Sequence, residues 1–210
     1  LIGPTSHHIT AVKHLQRYLK GTLDLPLVYK EGDSLILQVF CDSDYAATSS
    51  DQSARRRSTS GFSIFLGATT VHARSITQST VSQSSAEAEY IALATATKTT
   101  LWVRNFLAEL HLIDVTKPTV IHVDNNSAID MANNTTSSER VRHIDIRHHA
   151  IRDAVKTCKV DIWPISTQHN HADIQTKNPD KDIFQYHRDV QRGALPPIEG
   201  SWRKADRIRR

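Results

Sequence analysis

The sequence predicts an α/β protein, with an antiparallel meander of strands followed by alternating strands and helices. Between residues 35 and 75 no helical period occurs, and this stretch holds a nearly continuous apolar run at 35–41 and an alternating run at 61–66. From residue 84 onward, apolar side chains recur at helical spacing and short apolar runs interrupt them. The change in the spacing of apolar residues therefore separates an N-terminal meander of strands from a C-terminal half in which strands and helices alternate.

The elements of the first half follow from local patterns. A helix is predicted at 9–19, because apolar residues lie three or four apart and Gly21 follows as a stop signal. After the meander, whose third strand we expect near VHARS, Ser84 is placed to cap a long helix. The inward stripe of that helix consists of Glu89, Leu93, Ala96, Thr100, Val103, Leu107 and Leu110.

The second half alternates short strands with helices. The expected elements are strands at 119–123 and 160–165 and helices at about 127–133 and 139–157. Pro164 favours a place near a sheet edge for the later strand. A last helix is expected to start at Ala172–Asp173, and beyond Pro179 the helical pattern fades.

Charge and pattern divide the chain into three expected segments. These are an N-terminal appendage at 1–30, a folded domain at 31–178 and a basic C-terminal tail at 179–210. Because the chain begins at Leu1 rather than at Met, we expect it to be a piece of a longer polyprotein.

The composition is that of a globular protein and excludes several classes. The chain is 39% hydrophobic and 23% charged, and its net charge of +4 permits an anionic partner. No apolar run approaches the roughly 18 residues of a membrane span, and no secretory signal pattern opens the chain. The two cysteines form no CxxC motif, so neither a disulfide framework nor a cysteine-based zinc site is predicted, and a reducing compartment is expected.

Four acidic residues occupy informative places in these elements. Asp42 and Asp124 follow buried strands, Glu89 heads the inward stripe of a helix, and Asp173 opens a late helix. If the two strands are parallel neighbours, their carboxyl ends meet at one edge of the sheet. Clustered carboxylates suit Mg²⁺, which prefers oxygen ligands. The competing interpretations are turn-forming aspartates and a first-turn glutamate favoured by the helix dipole.

Six segments match, in order, the motifs of one known family. They are CDSDYA (41–46), RRSTSGF (56–62), TVSQSSAEAEYIA (80–92), VDNNSAI (123–129), RHIDIRHHAIRDAV (142–155) and HADIQTK (171–177). On these motifs the chain resembles the ribonuclease H region of copia-type LTR retrotransposon (Ty/copia) Pol polyproteins. Residues 7–29 resemble the end of the preceding reverse transcriptase.

The resemblance implies a fold, an activity and a setting. The implied fold is RNase H-like, a five-stranded mixed sheet with three antiparallel strands, then two parallel ones, and flanking helices. The implied activity is endonucleolytic hydrolysis of the RNA strand of RNA–DNA hybrids with two Mg²⁺ ions, or Mn²⁺ in their place. The implied partners are the hybrid, the reverse transcriptase and the other parts of the Pol polyprotein, with no membrane. The implied location is intracellular, in cytoplasmic virus-like particles or in the nucleus.

The catalytic acids of the family carry over onto four residues, which are also the implied metal ligands. Asp42 matches the first-strand Asp, and Glu89 matches the second Glu of the EAEY motif. Asp124 matches the Asp of the DNxSA motif, and Asp173 matches the Asp of the ADxxTK motif. Our hypothesis is that metal ions between them orient an attacking water and stabilise the departing 3′ oxygen.

Binding of a hybrid requires contacts to phosphates, which release counterions, and the 2′-OH distinguishes RNA from DNA. The candidate binding residues are Arg55, Arg56, Arg57, Arg74, Asn125, Asn126, Ser127, Arg142, Arg147 and Arg152. For each arginine the competing interpretation is a solvated surface cation, and for the Asn-Asn-Ser segment it is helix capping. His169 and His171, just before Asp173, are candidates for moving a proton or for belonging to a polar loop.

Two departures from the family pattern leave the activity open. Gln175 replaces a usual apolar residue, and Asn178 interrupts the usual TKP sequence. The alternative function is a catalytically inactive hybrid-binding or polyprotein-scaffold remnant of a decayed element. A transposase or integrase core shares the fold, but the EAEY, DNxSA and ADxxTK motifs together favour the ribonuclease.

Overall fold

Five strands form one mixed sheet in the order β3-β2-β1-β4-β5. A computed structural model describes residues 3–46, 56–133 and 145–197 of the chain. The strands are β1 (Leu37–Asp44), β2 (Thr59–Leu66), β3 (Thr69–Thr77), β4 (Thr119–Val123) and β5 (Val160–Pro164). The first three are antiparallel, β4 is parallel to β1, and β5 is parallel to β4. The expected fold class is therefore confirmed, including the parallel neighbours β1 and β4.

The central strand β1 is covered on both faces. It begins at Leu37 rather than at residue 35, and Leu35 is exposed. Because side chains alternate along a strand, Val39 and Cys41 join one buried cluster while Phe40 joins another on the opposite face. The nearly continuous apolar run is the consequence of this double coverage.

Three helices pack against the first face of the sheet. They are α2 (Ser85–Glu109), α3 (Asn126–Asn133) and α4 (Asp145–Lys156), and only the backbone is described for residues 145–148. The predicted cap of α2 is confirmed, because the hydroxyl of Ser84 accepts a hydrogen bond from the backbone N–H of Glu87 at 3.2 Å. The predicted stripe is buried from Glu89 to Leu107, while Leu110 caps the helix and is exposed.

Two further helices lie on the opposite face, α5 (Asp173–Thr176) and α6 (Lys181–Gln191). Val190 of α6 is fully buried with Phe40, Phe65 and Ala172. Residues that we assigned to a basic tail therefore form a packed helix. We did not predict this helix, although Ile183, Phe184 and Val190 recur along it at helical spacing and it buries His187 and Val190.

The N-terminal helix α1 (Ser6–Gly21) confirms the helix predicted there, and none of its residues is buried. Helix α1 and the residues that follow it contact α6 and Arg192, the residue after α6. The ring centroids of Tyr18 and Phe184 lie 5.9 Å apart, and the backbone N–H of Val28 donates to the carbonyl of Arg192 at 2.7 Å. Among the described residues, every helix is too short or too polar to cross a membrane.

Candidate active site

Three of the predicted acids come together where β1, β4 and α5 meet. Asp42 is buried near the end of β1, Asp124 directly follows β4, and Asp173 is the first residue of α5. Each offers a carboxylate oxygen, and these oxygens all lie within 4.8 Å of one another. The parallel pairing of β1 with β4 brings the first two together, and the short helix α5 supplies the third.

Glu89 lies beside this cluster but outside the group defined by 4.8 Å. Its buried Oε1 accepts hydrogen bonds from the backbone N–H of Ser43 at 3.1 Å and from the Ser43 hydroxyl at 3.0 Å. Its other oxygen, Oε2, is buried and has no hydrogen-bond partner within the described ranges. A buried carboxylate oxygen without a partner is costly, so this place suits a cation.

Burial and repulsion between carboxylates raise the pKa values of Glu89, Asp42 and Asp173. Burial, together with the carboxylates of Asp42 and Asp124, raises the pKa of Glu89 to about 8, although the hydrogen bonds from Ser43 oppose the shift. Burial also raises the pKa of Asp42 to about 6, although Lys177 and Thr176 oppose the shift. Burial likewise raises the pKa of Asp173. Divalent metal would relieve this repulsion, and the oxygen-only donor set matches the preference of Mg²⁺.

Thr176, the last residue of α5, and Lys177, which follows it, contact the acids directly, although neither was predicted to belong to the site. The Nζ atom of Lys177 lies 3.1 Å from Oδ1 of Asp42 and 3.1 Å from Oδ1 of Asp173. The hydroxyl of Thr176 donates to Oδ2 of Asp42. Although burial acts to lower the pKa of Lys177, the two carboxylates raise it. The signal for both residues was their place three and four positions after Asp173, one helical turn along the same face.

The predicted binding residues divide into three groups by position. Arg56 and Arg57 directly precede β2, at the end of the sheet where β1 ends, and Arg56 is exposed. Asn126 and Ser127 are exposed in the first turn of α3, immediately after Asp124. Asn126 and Ser127 are therefore next to Asp124 in sequence, and Arg56 and Arg57 lie at the same end of the sheet as Asp42. Arg55 and Arg142 fall outside the described residues, and the side chain of Arg147 is likewise not described.

Three predicted binding residues have other surroundings. The side chain of Asn125 caps α3, because its Oδ1 accepts from the backbone N–H of Ala128 at 3.1 Å. Arg74 pairs with Phe62 across β2 and β3, so it projects from the face opposite Asp42. Arg152 is half-buried and its charge acts on Tyr90, whose pKa burial raises to about 12.

Comparisons with known proteins find Pol polyproteins of plant transposons among the relatives. No protein-family model matches the chain. It is 34% identical over 182 residues to a retrovirus-related Pol polyprotein from transposon RE1 of Arabidopsis thaliana, covering 87% of this chain and 12% of the relative. It is 35% identical over 185 residues to the corresponding polyprotein from transposon TNT 1-94 of Nicotiana tabacum, covering 88% of this chain and 13% of the relative.

Solved structures with a similar arrangement include RNase H domains. The N-terminal RNase H domain of rv2228c from Mycobacterium tuberculosis gives a TM-score of 0.48 at 10% identity, covering 74% of this chain and 98% of that one. LC11-RNase H1, solved in complex with an RNA/DNA hybrid, gives a TM-score of 0.47 at 14% identity, covering 67% of this chain and 93% of that one.

The sheet topology, with an acidic cluster at the ends of β1 and β4, defines an RNase H-like domain. The chain is a homologue of the retrovirus-related Pol polyproteins of plant transposons. It spans only about an eighth of the length of these relatives, 12% to 13%.

Proposed function

We propose that this domain hydrolyses the RNA strand of RNA–DNA hybrids at a two-metal carboxylate site. The observation that carries the proposal is the meeting of Asp42, Asp124 and Asp173 with oxygens within 4.8 Å, beside the buried Glu89. These acids come from two strands and two helices. For stability alone, apolar residues at the same positions would serve better than clustered, buried carboxylates. The homologous Pol polyproteins support the ribonuclease among the activities that carboxylate sites perform.

Each acid has a distinct proposed part in holding Mg²⁺. Asp42, Asp124 and Asp173 would provide the converging oxygens, and Glu89 would use the oxygen that lacks a partner. When bound, the metal ions supply Lewis acidity to phosphodiester hydrolysis. Ser43 fixes the orientation of Glu89 through two hydrogen bonds, and Thr176 fixes that of Asp42.

The residues flanking the acids are suited to the sugar–phosphate backbone of the substrate. Arg56 and Arg57 would contact phosphates, and the exposed Asn126 and Ser127 would donate hydrogen bonds to sugar or phosphate oxygens. Because the chain matches about an eighth of its relatives, we propose that it works as one part of a longer Pol polyprotein that includes a reverse transcriptase.

The decisive experiment is cleavage of an RNA–DNA hybrid with a labelled RNA strand in Mg²⁺. We expect cuts in the RNA strand alone, abolished by EDTA and reduced more than about 100-fold by Asp124→Asn, because that change removes a ligand oxygen charge. The matched control is Asp130→Asn on the exposed side of α3, which should cut like the parent chain. A folded parent chain that binds the hybrid without cutting it would favour the binding-only alternative and overturn the proposal.

A further inference from the structure

The helix that carries Asp173 is too short to hold its own shape. The four residues of α5 form one turn, and isolated helices of this length are not stable. The position of the Asp173 carboxylate must therefore be set by neighbouring elements. Two of these neighbours, Gly61 of β2 and Gln191 of α6, contact α5 from different elements.

Gly61 permits α5 to lie directly on the backbone of β2. A Cβ atom at residue 61 would lie 2.6 Å from Cγ2 of Thr176 and 2.7 Å from Cβ of Gln175. These distances are too short for carbon atoms, so any larger residue would move α5. Gly61 also pairs with Asp42 across β1 and β2. The same glycine therefore sets how closely the Asp173 turn approaches Asp42.

Gln191 ties both sides of the Asp173 turn to the sheet. Its side-chain Nε2 donates to the carbonyl of His171 at 2.8 Å and to the hydroxyl of Ser63 at 2.9 Å. Its Oε1 accepts from Nε2 of Gln175 at 3.2 Å. One amide group thus connects residues two positions before and two positions after Asp173 with strand β2.

The end of α6 that carries Gln191 is itself held by buried contacts. The imidazoles of His171 and His187 form a buried hydrogen bond of 2.9 Å between their Nδ1 atoms, and Val190 is fully buried. Gln191 is therefore presented from a fixed position rather than from a mobile surface. The same contacts bury the His171 ring within the turn before α5, so it does not face solvent.

We propose that Gln191 and Gly61 are positioning residues that jointly fix Asp173 in the carboxylate cluster. Gln191 acts on α5 through Gln175. This hydrogen bond gives a physical reason for an amide at position 175, where the family usually has an apolar residue. The part of this inference that concerns metal binding rests on the proposed function. The part that concerns the position of the Asp173 turn does not.

The first test measures hydrogen exchange in the metal-free chain, so it does not depend on activity. In Gln191→Leu we expect the backbone amides of Gln175 and Lys177, which close the turn, to exchange about 10-fold faster. Amides of β1 and β4 should be unchanged. The matched control is Gln185→Leu on the same helix, which should leave the turn as in the parent chain. Unchanged exchange at residues 170–177, or equal acceleration throughout the sheet, would overturn the proposal.

The second test measures the binding of Mn²⁺ by electron paramagnetic resonance. Gln191→Leu should weaken binding about 10-fold and Gln175→Leu by no more than that. The double variant should bind no more weakly than Gln191→Leu, because Gln175→Leu breaks only a hydrogen bond that Gln191→Leu also removes. Additive losses would overturn the coupling. If Gln191→Leu fails to fold, Gln175→Leu alone decides both readouts. If the parent chain fails to bind Mn²⁺, the proposed function fails while the exchange experiment still decides the positioning.

Discussion

Lys177 gives the carboxylate cluster a positive charge that belongs to the chain itself. Its ammonium group contacts Asp42 and Asp173 at the same distance of 3.1 Å. It therefore offsets the repulsion between these acids when no metal is bound. A divalent cation that takes the same oxygens has to displace it. We therefore expect the lysine to stabilise the metal-free protein and to lower the affinity of the proposed site for metal.

Replacing this lysine should separate the two effects. Lys177→Met should lower the free energy of unfolding in EDTA by about 1–2 kcal/mol, because two partly buried carboxylates lose their partner. The same variant should bind Mn²⁺ more tightly than the parent chain. Denaturant unfolding and metal titration measure the two quantities, with the exposed Lys181→Met as the control. Weaker Mn²⁺ binding would show that the lysine does not compete with metal.

Glu89 couples the stability of the metal-free protein to pH. Its pKa of about 8 in the folded chain lies above the ordinary value of 4.5. The folded state therefore binds the proton more tightly than the unfolded state. The resulting stability is fully present below about pH 4.5 and is lost as the pH rises to about 8. The facing groups responsible are the carboxylates of Asp42 and Asp124, together with burial.

Neutralising this residue should flatten the pH dependence. Glu89→Gln should raise the free energy of unfolding in EDTA at pH 8 by about 2 kcal/mol and should abolish cleavage. Denaturant unfolding measured between pH 5 and about pH 8 checks the slope. The control is Glu109→Gln, at the exposed end of the same helix. A slope equal to that of the parent chain would mean that Glu89 is already ionised in the metal-free protein.

Among the elements, the contact of α5 with β2 is the most sensitive to a small change. Gly61→Ala should lower the free energy of unfolding by about 1–3 kcal/mol, because the added methyl overlaps Thr176 and Gln175. It should also reduce hybrid cleavage more than this loss of stability explains. Thermal unfolding and cleavage of the folded variant measure the two effects.

Gly21→Ala is the matched control for this substitution. An added methyl at Gly21 would meet no atom within 4 Å, so stability and cleavage should remain those of the parent chain. If Gly61→Ala cleaved like Gly21→Ala, α5 would tolerate a larger distance from β2 than its contacts indicate.

The elements that sequence pattern could predict are those with strong periodicity. The stripe of α2 identified Glu89 as inward-facing, and the apolar runs of β1 and β4 located the acids near their ends. In α6 the apolar residues Ile183, Phe184 and Val190 also recur at helical spacing, a signal for this helix that we did not use. The parts of the site that depend on contacts between distant elements could not be predicted, since Ser43, Lys177 and Gln191 act through partners fixed only by the fold.

For the whole molecule, the two ends of the chain differ in what they contribute to the core. Residues 3–36, the described part of the segment before β1, supply no residue to either buried cluster, whereas α6 supplies Val190 to the smaller one. A chain ending at residue 178 should therefore lose about 3–5 kcal/mol of unfolding free energy relative to one ending at residue 197, because Phe40 and Phe65 become exposed.

A chain beginning at residue 31 is the counterpart of this truncation. It should retain the unfolding free energy of the full chain within about 1 kcal/mol, since α1 is exposed throughout. Denaturant unfolding compares the three chains. If the chains ending at 178 and 197 were equally stable, the domain boundary at residue 178 expected from sequence would be supported, and α6 would not contribute to the stability of the core.

The long separation between contacting residues has a consequence for how the protein is made. Lys177 meets Asp42 across 135 positions of sequence, and Gln191 reaches back 128 positions to Ser63. During translation the chain leaves the ribosome from its N-terminus, so β1 emerges long before its partners. Neither contact can form until nearly the whole domain has been synthesised. Nascent or prematurely terminated chains therefore lack a finished site, and the proposed nuclease activity would be confined to completed molecules.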